Sequence, residues 1–340
     1  MPLLKILHYS IIFLLQHTIT ELPNLHQWRI PMTMEPSPKL SQPGLGVDEK
    51  TLIKILGKWH PEQRKTFRKG SRDFFVEDER QFERWNDGHV AQLRNEFLRI
   101  KEAIVLWTMH PWERDARLLK ESLSKGSPNN HQYNILIEVA CTRSADELLG
   151  ARKAYHSLFH RSIEEDVAFH VHGTHHMKRL LIALVSSYRY EGPKVNQEAA
   201  KTDANTLSSA IKEGESELLI RVISTRSILH LNHLYKYYKE IHGNYLDEDL
   251  KGDLLKETIQ CLCIPTTYFT KILGESLKHD ADEARKDAVT RVIVTRADHD
   301  MKQIKEEYSE KYGGNLANKI EDVANGSYKD FLLTLIARGD

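Results

Sequence analysis

Apolar residues recur at helical spacing along much of the chain. Met301, Ile304 and Tyr308 lie three and four residues apart, which places them on one face of a helix. Ser144 precedes Glu147 by three residues, a capping-box spacing that marks a helix start. Strand-like alternation is nowhere sustained, so the pattern predicts an all-α protein. The longest apolar series is formed by Leu93, Phe97, Ile100, Ile104 and Trp107.

A longer pattern recurs four times. Each copy has an apolar pair, a short polar turn and a basic helix ending in aromatic residues, followed by a second apolar helix. The Thr-Arg step within the pattern recurs at Thr142, Thr225 and Thr295, at spacings of 83 and 70 residues. Repeats with a fixed internal order indicate stacked units that share one core. The apolar pair, turn and basic helix together span residues 55–75, 139–159, 222–243 and 292–314, and the second apolar helices span residues 93–107, 177–188, 254–262 and 328–338.

The first 38 residues differ from the rest. Their apolar run, residues 3–15, is interrupted by polar side chains and is shorter than the roughly 20 residues that a spanning helix needs. A secretory signal is an alternative, but no clear cleavage site follows. Several prolines then exclude a continuous helix. We expect residues 1–38 to form a poorly ordered extension.

Composition limits the function classes. The 48 basic and 48 acidic side chains leave no formal net charge, which argues against a nucleic-acid-binding protein. The three cysteines, Cys141, Cys261 and Cys263, are too few for a disulfide framework or a four-thiolate zinc site. We therefore expect a reducing, cytoplasmic environment.

Four such units resemble the annexins, and more narrowly the plant annexins. The resemblance covers residues 44–340 and is carried by MHPWERDARLL (109–119), VACTRSADELLGARKAYHSLF (139–159), SSYRYEG (186–192), ISTRS (223–227) and VTRAD (294–298). It implies four annexin repeats of about five helices each, packed as a curved disc whose convex face binds phospholipid through calcium. The expected repeats span residues 39–110, 111–187, 198–270 and 271–340.

The resemblance implies Ca2+ as the cofactor. The main family site combines the carbonyls of a G-x-G-T turn with an acidic side chain from later in the repeat, and oxygen donors suit this hard ion. Repeat one matches with Gln42, Gly44, Gly46 and Glu96 as the metal ligands. Val47 replaces the usual threonine. The 50 residues from Gly46 to Glu96 exceed the usual spacing, which an insertion around residues 77–88 explains.

The other repeats depart from this pattern. His170 stands at the acidic position of repeat two and Val323 at that of repeat four. Repeat three lacks the glycine pair, although Asp249 lies near its acidic position. We therefore expect at most one well-formed site of the family type and a weak calcium sensitivity.

Two further groups of residues, a histidine cluster and a cysteine pair, suggest more specific chemistry. Histidines 170, 172, 175 and 176 could bind a transition metal or titrate near pH 6, but the sequence favours a solvated loop because no acidic or cysteine ligand lies close by. Cys141 and Cys261 match a pair that plant annexins are proposed to use in redox chemistry, whereas the apolar context of Cys141 favours a small buried side chain. Lys58 replaces the histidine that was linked with peroxidase activity in plant annexins.

The resemblance implies a calcium-dependent phospholipid-binding protein in calcium and stress signalling. No phosphate loop, HExxH helix or GxSxG elbow is present, so we do not expect an enzyme. The expected partners are anionic membranes, with other annexins or cytoskeletal proteins as further partners and no nucleic acid. The expected location is cytoplasmic, peripheral on the plasma membrane or endomembranes. Two alternatives stay open: a calcium-independent helical-repeat interaction module and, less favoured, a thiol redox enzyme.

Overall fold

The computed structural model describes residues 56–71, 75–88, 90, 99–124, 133–172, 174–278, 283–324 and 326–339. The all-α prediction is confirmed, because these residues form 17 α-helices and one short hairpin. The helices are α1 Pro61–Gly70, α2 Arg99–Thr108, α3 Pro111–Ser124, α4 Asn134–Thr142, α5 Ala145–Phe159, α6 Ile163–His170, α7 His175–Val185, α8 Gln197–Glu213, α9 Ser216–Thr225, α10 Ile228–His242, α11 Leu246–Asp249, α12 Asp253–Cys263, α13 Pro265–Ser276, α14 Glu283–Arg296, α15 Met301–Tyr312, α16 Leu316–Val323 and α17 Gly326–Ile336. A 3₁₀ turn, Ala337–Gly339, follows, and the strands are β1 Phe75–Glu77 and β2 Glu83–Trp85.

Local sequence signals set several helix boundaries. The capping box expected at the start of α5 is confirmed: Ser144 Oγ accepts a hydrogen bond of 3.2 Å from the Glu147 N–H, and the Ser144 N–H donates to Glu147 Oε2 at 2.8 Å. At the other end of a helix, Gly243 terminates α10 with a φ of 84°, a left-handed conformation that glycine adopts without steric cost. Met301, Ile304 and Tyr308 are all buried, as their helical spacing predicts.

One hydrophobic core runs through all four units. Within units two, three and four the same pairing recurs, in which α3 packs along α5, α8 along α10 and α13 along α15. Helices α4 and α7 of unit two pack against α12 and α9 of unit three, and α2 of unit one packs against α14 and α17 of unit four. By its packing α13 belongs to unit four, so that unit starts at Pro265 and the expected boundary at residues 270/271 lies inside a helix.

The repeated Thr-Arg step has one structural role in each unit that carries it. The threonine hydroxyl bonds back to a carbonyl one turn earlier in its helix, and the arginine that follows makes a two-bond ion pair with an aspartate. Such bidentate pairs are geometrically specific. The ion pairs are Arg143 with Asp115, Arg226 with Asp203 and Arg296 with Asp300.

The hairpin of β1 and β2 occupies the insertion expected around residues 77–88, but its strands are not evident in the sequence. Each strand has only three residues, too few for alternation to show. Buried Phe75 and Trp85 pair across it with ring centroids 4.5 Å apart. The Trp85 N–H donates to the buried Glu113 carboxylate at 2.7 Å. Ser157 of α5 donates to Asp78, so the hairpin joins unit one to α3 and α5 of unit two.

Within the described residues, no helix has both the length and the apolar character that a bilayer crossing requires.

Candidate calcium site and loop surface

The predicted calcium ligands of repeat one, Gln42, Gly44, Gly46 and Glu96, lie outside the described residues. However, a described residue that follows the predicted glycine turn contacts a described residue that follows Glu96. Trp107 at the end of α2 is almost fully buried, and its indole N–H donates to the Leu56 carbonyl at 3.0 Å. The segment that follows the glycine turn therefore contacts the helix that follows Glu96.

In repeat two, residues before the second and the fifth helix of the repeat are in contact. Tyr133 immediately precedes α4, and His172 lies three residues before α7. The His172 backbone N–H donates to the Tyr133 hydroxyl at 3.2 Å. Tyr133, directly before the second helix of the repeat, therefore lies beside His172, in the connection before its fifth helix. The resemblance predicts that the Gly44–Gly46 turn and Glu96 occupy the equivalent two positions in repeat one.

The side chains at this place in repeat two do not resemble a calcium site. His170 is the last residue of α6, and its half-buried ring contacts the ring of Phe169 at a centroid distance of 4.9 Å. An imidazole nitrogen replaces the carboxylate oxygens that calcium prefers. Phe169 itself is 69% exposed, so a large aromatic side chain next to His170 is in contact with solvent.

Repeat three replaces the glycine turn with a tight connection. Gly214 and Glu215 alone separate α8 from α9, and Gly214 has a φ of 77°. The Asp249 carboxylate accepts a hydrogen bond from the Tyr238 hydroxyl at 2.8 Å and one from the Asn244 amide at 3.2 Å. Burial and the bond to Asp249 raise the pKa of Tyr238 to about 12. Asp249 is thus engaged in contacts within its own repeat.

Repeat four has an apolar residue, Val323, at the position where the family places its acidic ligand. Val323 ends α16 and packs against the hydrophobic core. Residues 279–282, in the link between α13 and α14, lie outside the described part of the chain.

The buried carboxylate of Asp166 in α6 holds neighbouring helices of repeat two together. Asp166 is fully buried and bonds to Lys120 at 2.7 Å, to Tyr155 at 2.6 Å and to Arg161 at 3.2 Å. Burial favours its neutral form, but the hydrogen bonds from Lys120, Tyr155 and Arg161 outweigh burial and hold its pKa below the ordinary value. Asp166 therefore joins α3, α5 and α6 in the interior and does not face solvent.

The histidine cluster acquires an acidic neighbour that its sequence context does not reveal. His175 and His176 begin α7, and Glu217 lies in the first turn of α9. The His176 Nδ1 atom lies 3.7 Å from Glu217 Oε1, and all three side chains are exposed. Glu217 follows His176 by 41 residues, so no local pattern could have pointed to it.

The cysteine pair is buried. Cys141 is 5% and Cys261 1% exposed, and both are free thiols. Burial and the adjacent Cys141 thiol raise the pKa of Cys261, and burial also raises the pKa of Cys263. Since the thiolate is the reactive form, this environment suppresses cysteine nucleophilicity. The packing agrees with the expectation that Cys141 is a small buried side chain.

Comparison with known proteins identifies the family. A family model described as Annexin matches residues 114–184 and 271–335. Over 306 residues the chain is 52% identical to annexin D4 of Arabidopsis thaliana, covering 87% of this chain and 94% of the relative. This chain is an annexin. The annexin-like protein RJ4 of Fragaria ananassa is 35% identical over 87% of this annexin and 92% of its own length.

Solved structures agree on the fold. An annexin III structure superposes with a TM-score of 0.73 at 23% identity, covering 86% of this annexin and 89% of that chain. A calcium-bound structure of annexin (Sm)1 gives a TM-score of 0.69 at 20% identity, over 86% of this annexin and 85% of that chain. Membership of the annexin family, shown by the family model and the 52% identical relative, places this chain in a class of calcium-dependent phospholipid-binding proteins.

Proposed function

We propose that this annexin binds anionic phospholipid membranes reversibly, with calcium bridging protein and lipid phosphate mainly at repeat one. Gln42, Gly44 and Gly46 would supply carbonyl oxygens and Glu96 a bidentate carboxylate. Calcium takes six to eight oxygen ligands, and an incomplete protein set leaves positions for lipid phosphate.

The observation that carries this proposal is the contact between the two links of repeat two. The His172 N–H reaches the Tyr133 hydroxyl at 3.2 Å, although the residues lie 39 positions apart. Since the repeats share one helix order, the same arrangement in repeat one would bring the glycine turn to Glu96. The hydrogen bond from Trp107 to Leu56 supports it, because it joins the helix after Glu96 to the chain after the turn.

The described repeats favour a single main site. Repeat three has only a two-residue connection at Gly214, and its Asp249 carboxylate accepts two hydrogen bonds from its own repeat. His170 and Val323 occupy the acidic positions of repeats two and four. We therefore expect a high calcium requirement for membrane binding.

The setting we propose is cytoplasmic calcium and stress signalling, with peripheral attachment to the plasma membrane or endomembranes. Binding through one calcium-bridged loop is reversible by calcium removal, which suits a protein that responds to a calcium signal. Other annexins or cytoskeletal proteins would be further partners. We propose no enzymatic activity, which fits the buried cysteines with their raised pKa values.

Sedimentation with phosphatidylserine vesicles tests the proposal. Calcium should move the protein into the pellet, and a chelator should return it to the supernatant. Vesicles of phosphatidylcholine alone serve as the control, because they lack net negative charge. Equal pelleting with and without calcium would instead indicate a calcium-independent mode. Failure to pellet with any vesicle would favour the interaction module that works through protein partners.

A further inference from the structure

Two histidines of repeat two and one glutamate of repeat three converge on the protein surface. Within the described residues, His175, His176 and Glu217 place one potential ligand atom each within 4.8 Å of the other two. The His176 Nδ1 atom and Glu217 Oε1 are already 3.7 Å apart. The His175 and His176 rings lie 6.0 Å apart between centroids at an angle of 79°.

The backbone that carries these side chains is held in place. The Thr174 hydroxyl accepts a hydrogen bond of 3.3 Å from the Met177 N–H and so fixes the first turn of α7. Gly214 ends α8 and places Ser216 at the first position of α9. Helices α7 and α9 pack directly against each other. The cluster therefore spans the contact between repeats two and three on a fixed framework.

The donor set indicates the class of ion. Imidazole nitrogens suit zinc, copper and nickel, whereas calcium and magnesium prefer sets made of oxygen alone. In a tetrahedral zinc site with bonds of about 2.1 Å, neighbouring ligand atoms lie roughly 3.4 Å apart. The ligand atoms of His175, His176 and Glu217 are somewhat farther apart than this, at up to 4.8 Å. Because all three side chains are exposed, small rotations about their χ angles would close them without disturbing the core.

We propose that His175, His176 and Glu217 form a surface site for a divalent transition-metal ion such as Zn²⁺. The two imidazoles and one carboxylate supply three ligands, and water completes the coordination. The site is separate from the proposed calcium site of repeat one. It links two repeats, so an ion bound there would also strengthen the contact between α7 and α9.

Arg179 is the main neighbouring charge. Its Nη1 atom lies 2.5 Å from Glu217 Oε1, and both side chains are about half exposed. Oε1 is also the carboxylate oxygen that lies 3.7 Å from His176, so the carboxylate has to rotate to ligate the ion through Oε2 while Oε1 keeps Arg179. In that arrangement Arg179 orients the ligand from outside the metal shell. The guanidinium and the positive end of α7 oppose the ion's charge, which limits the affinity.

Titration of the full-length protein with Zn²⁺ tests this site. Excess Ca²⁺ is included so that oxygen-only sites are filled. We expect one Zn²⁺ equivalent that is lost, or weakened on the order of tenfold, in both His176→Asn and Glu217→Gln, since each removes one of three protein ligands. Co²⁺ gives a second readout, because a four-coordinate site with nitrogen ligands produces visible absorption bands that calcium cannot compete away.

His172→Asn is the matched control. His172 is an exposed histidine of the same link, but it is not part of the three-residue cluster. This variant should keep both the Zn²⁺ equivalent and the Co²⁺ spectrum. Thermal unfolding without metal checks that all variants fold, which their exposed positions predict. Wild-type Zn²⁺ binding by Glu217→Gln, or an equal loss in His172→Asn, would overturn the proposal.

Discussion

Glu138 and Arg291 form two hydrogen bonds of 2.8 Å each, although they are 153 residues apart in the chain. Glu138 lies in α4 of repeat two and Arg291 in α14 of repeat four. Only 6% and 11% of the two side chains are exposed. Burial alone would lower the pKa of Arg291, but the Glu138 carboxylate outweighs burial and raises it. This charged pair therefore joins repeat two to repeat four.

Glu138→Gln should destabilise the fold strongly. The substitution keeps the side-chain shape but leaves the Arg291 charge buried without a counter-charge. Breaking a buried pair in this way costs about 3–5 kcal/mol. Equilibrium unfolding in urea would measure the loss. The double variant Glu138→Gln/Arg291→Gln should lose less than the sum of the single losses, because neither charge is left alone. Simple additivity would show that the two side chains are energetically independent.

Glu96→Gln should raise the calcium requirement for vesicle binding. The substitution keeps the shape of the side chain but removes the charged oxygen pair that calcium favours. Since the proposed site also uses carbonyls and lipid phosphate, the calcium midpoint should rise while the fold stays unaltered. Sedimentation across a calcium series gives the midpoint, and thermal unfolding without calcium checks the fold.

Asp249→Asn is the control for this prediction. Asp249 lies in the repeat without a glycine turn and bonds to Tyr238 and Asn244. Its calcium midpoint should stay near that of the wild type. A normal midpoint for Glu96→Gln together with a shifted one for Asp249→Asn would place the site in repeat three.

His110 should make folding stability sensitive to acid. Burial, with the nearby Arg68 and Arg114 charges, lowers the pKa of His110 to about 3, and its Nδ1 accepts a hydrogen bond from the Trp112 N–H. Between pH 6.5 and pH 3 the unfolded chain binds a proton at this residue that the folded chain does not. Stability therefore falls as the pH falls through this window, by up to about 1.4 kcal/mol per pH unit.

His110→Asn removes this titration and keeps a side-chain acceptor before α3. Relative to the wild type, the variant should gain stability as the pH is lowered from 7 to 5, as urea unfolding at each pH would show. His172→Asn, at an exposed position, should keep the wild-type slope. If the wild type and His110→Asn follow parallel curves, His110 is not the group responsible.

Acidification should give a second, calcium-independent mode of membrane binding. The chain has 18 histidines and no formal net charge, so lowering the pH from 7.5 to 5.5 adds positive charge. The pKa of His110, lowered to about 3 by burial, excludes this residue from the effect, and burial also lowers the pKa of His299. Each basic group near an anionic surface contributes about 1 kcal/mol. Phosphatidylserine vesicles in chelator should therefore capture more protein at pH 5.5. Equal capture at both pH values would contradict this mode.

Residues 1–38 should not determine membrane affinity. Their apolar run is interrupted, and a proline-rich stretch separates it from the glycine turn of repeat one. A shortened chain that begins at Met34 should bind phosphatidylserine vesicles with the calcium midpoint of the full chain. Loss of binding in the shortened chain would show that the extension contributes to the site.

Hydrophobic periodicity and repeated motifs were sufficient to predict that the chain is helical and that its helices recur in a fixed order. Helix formation depends on neighbours three or four residues away, so Met301, Ile304 and Tyr308 could be assigned to one buried face directly. The Ser144 and Glu147 capping box is equally local and was confirmed. The hairpin strands were not predicted, because three-residue strands depend on the packing of Phe75 and Trp85 against the rest of the molecule.

The candidate ligands and the charged pairs depend partly on the sequence and partly on the tertiary structure. The predicted ligands Gln42, Gly44, Gly46 and Glu96 come from motif and resemblance, and they remain predictions. By contrast, the meeting of His175 and His176 with Glu217, and of Glu138 with Arg291, depends on how whole repeats pack. Sequence patterns report only on residues close along the chain, whereas these pairs are brought together by burial of helix faces between repeats. The amino-acid sequence by itself therefore determined the helices and their repetition, and the tertiary structure decided which charged and metal-binding side chains became neighbours.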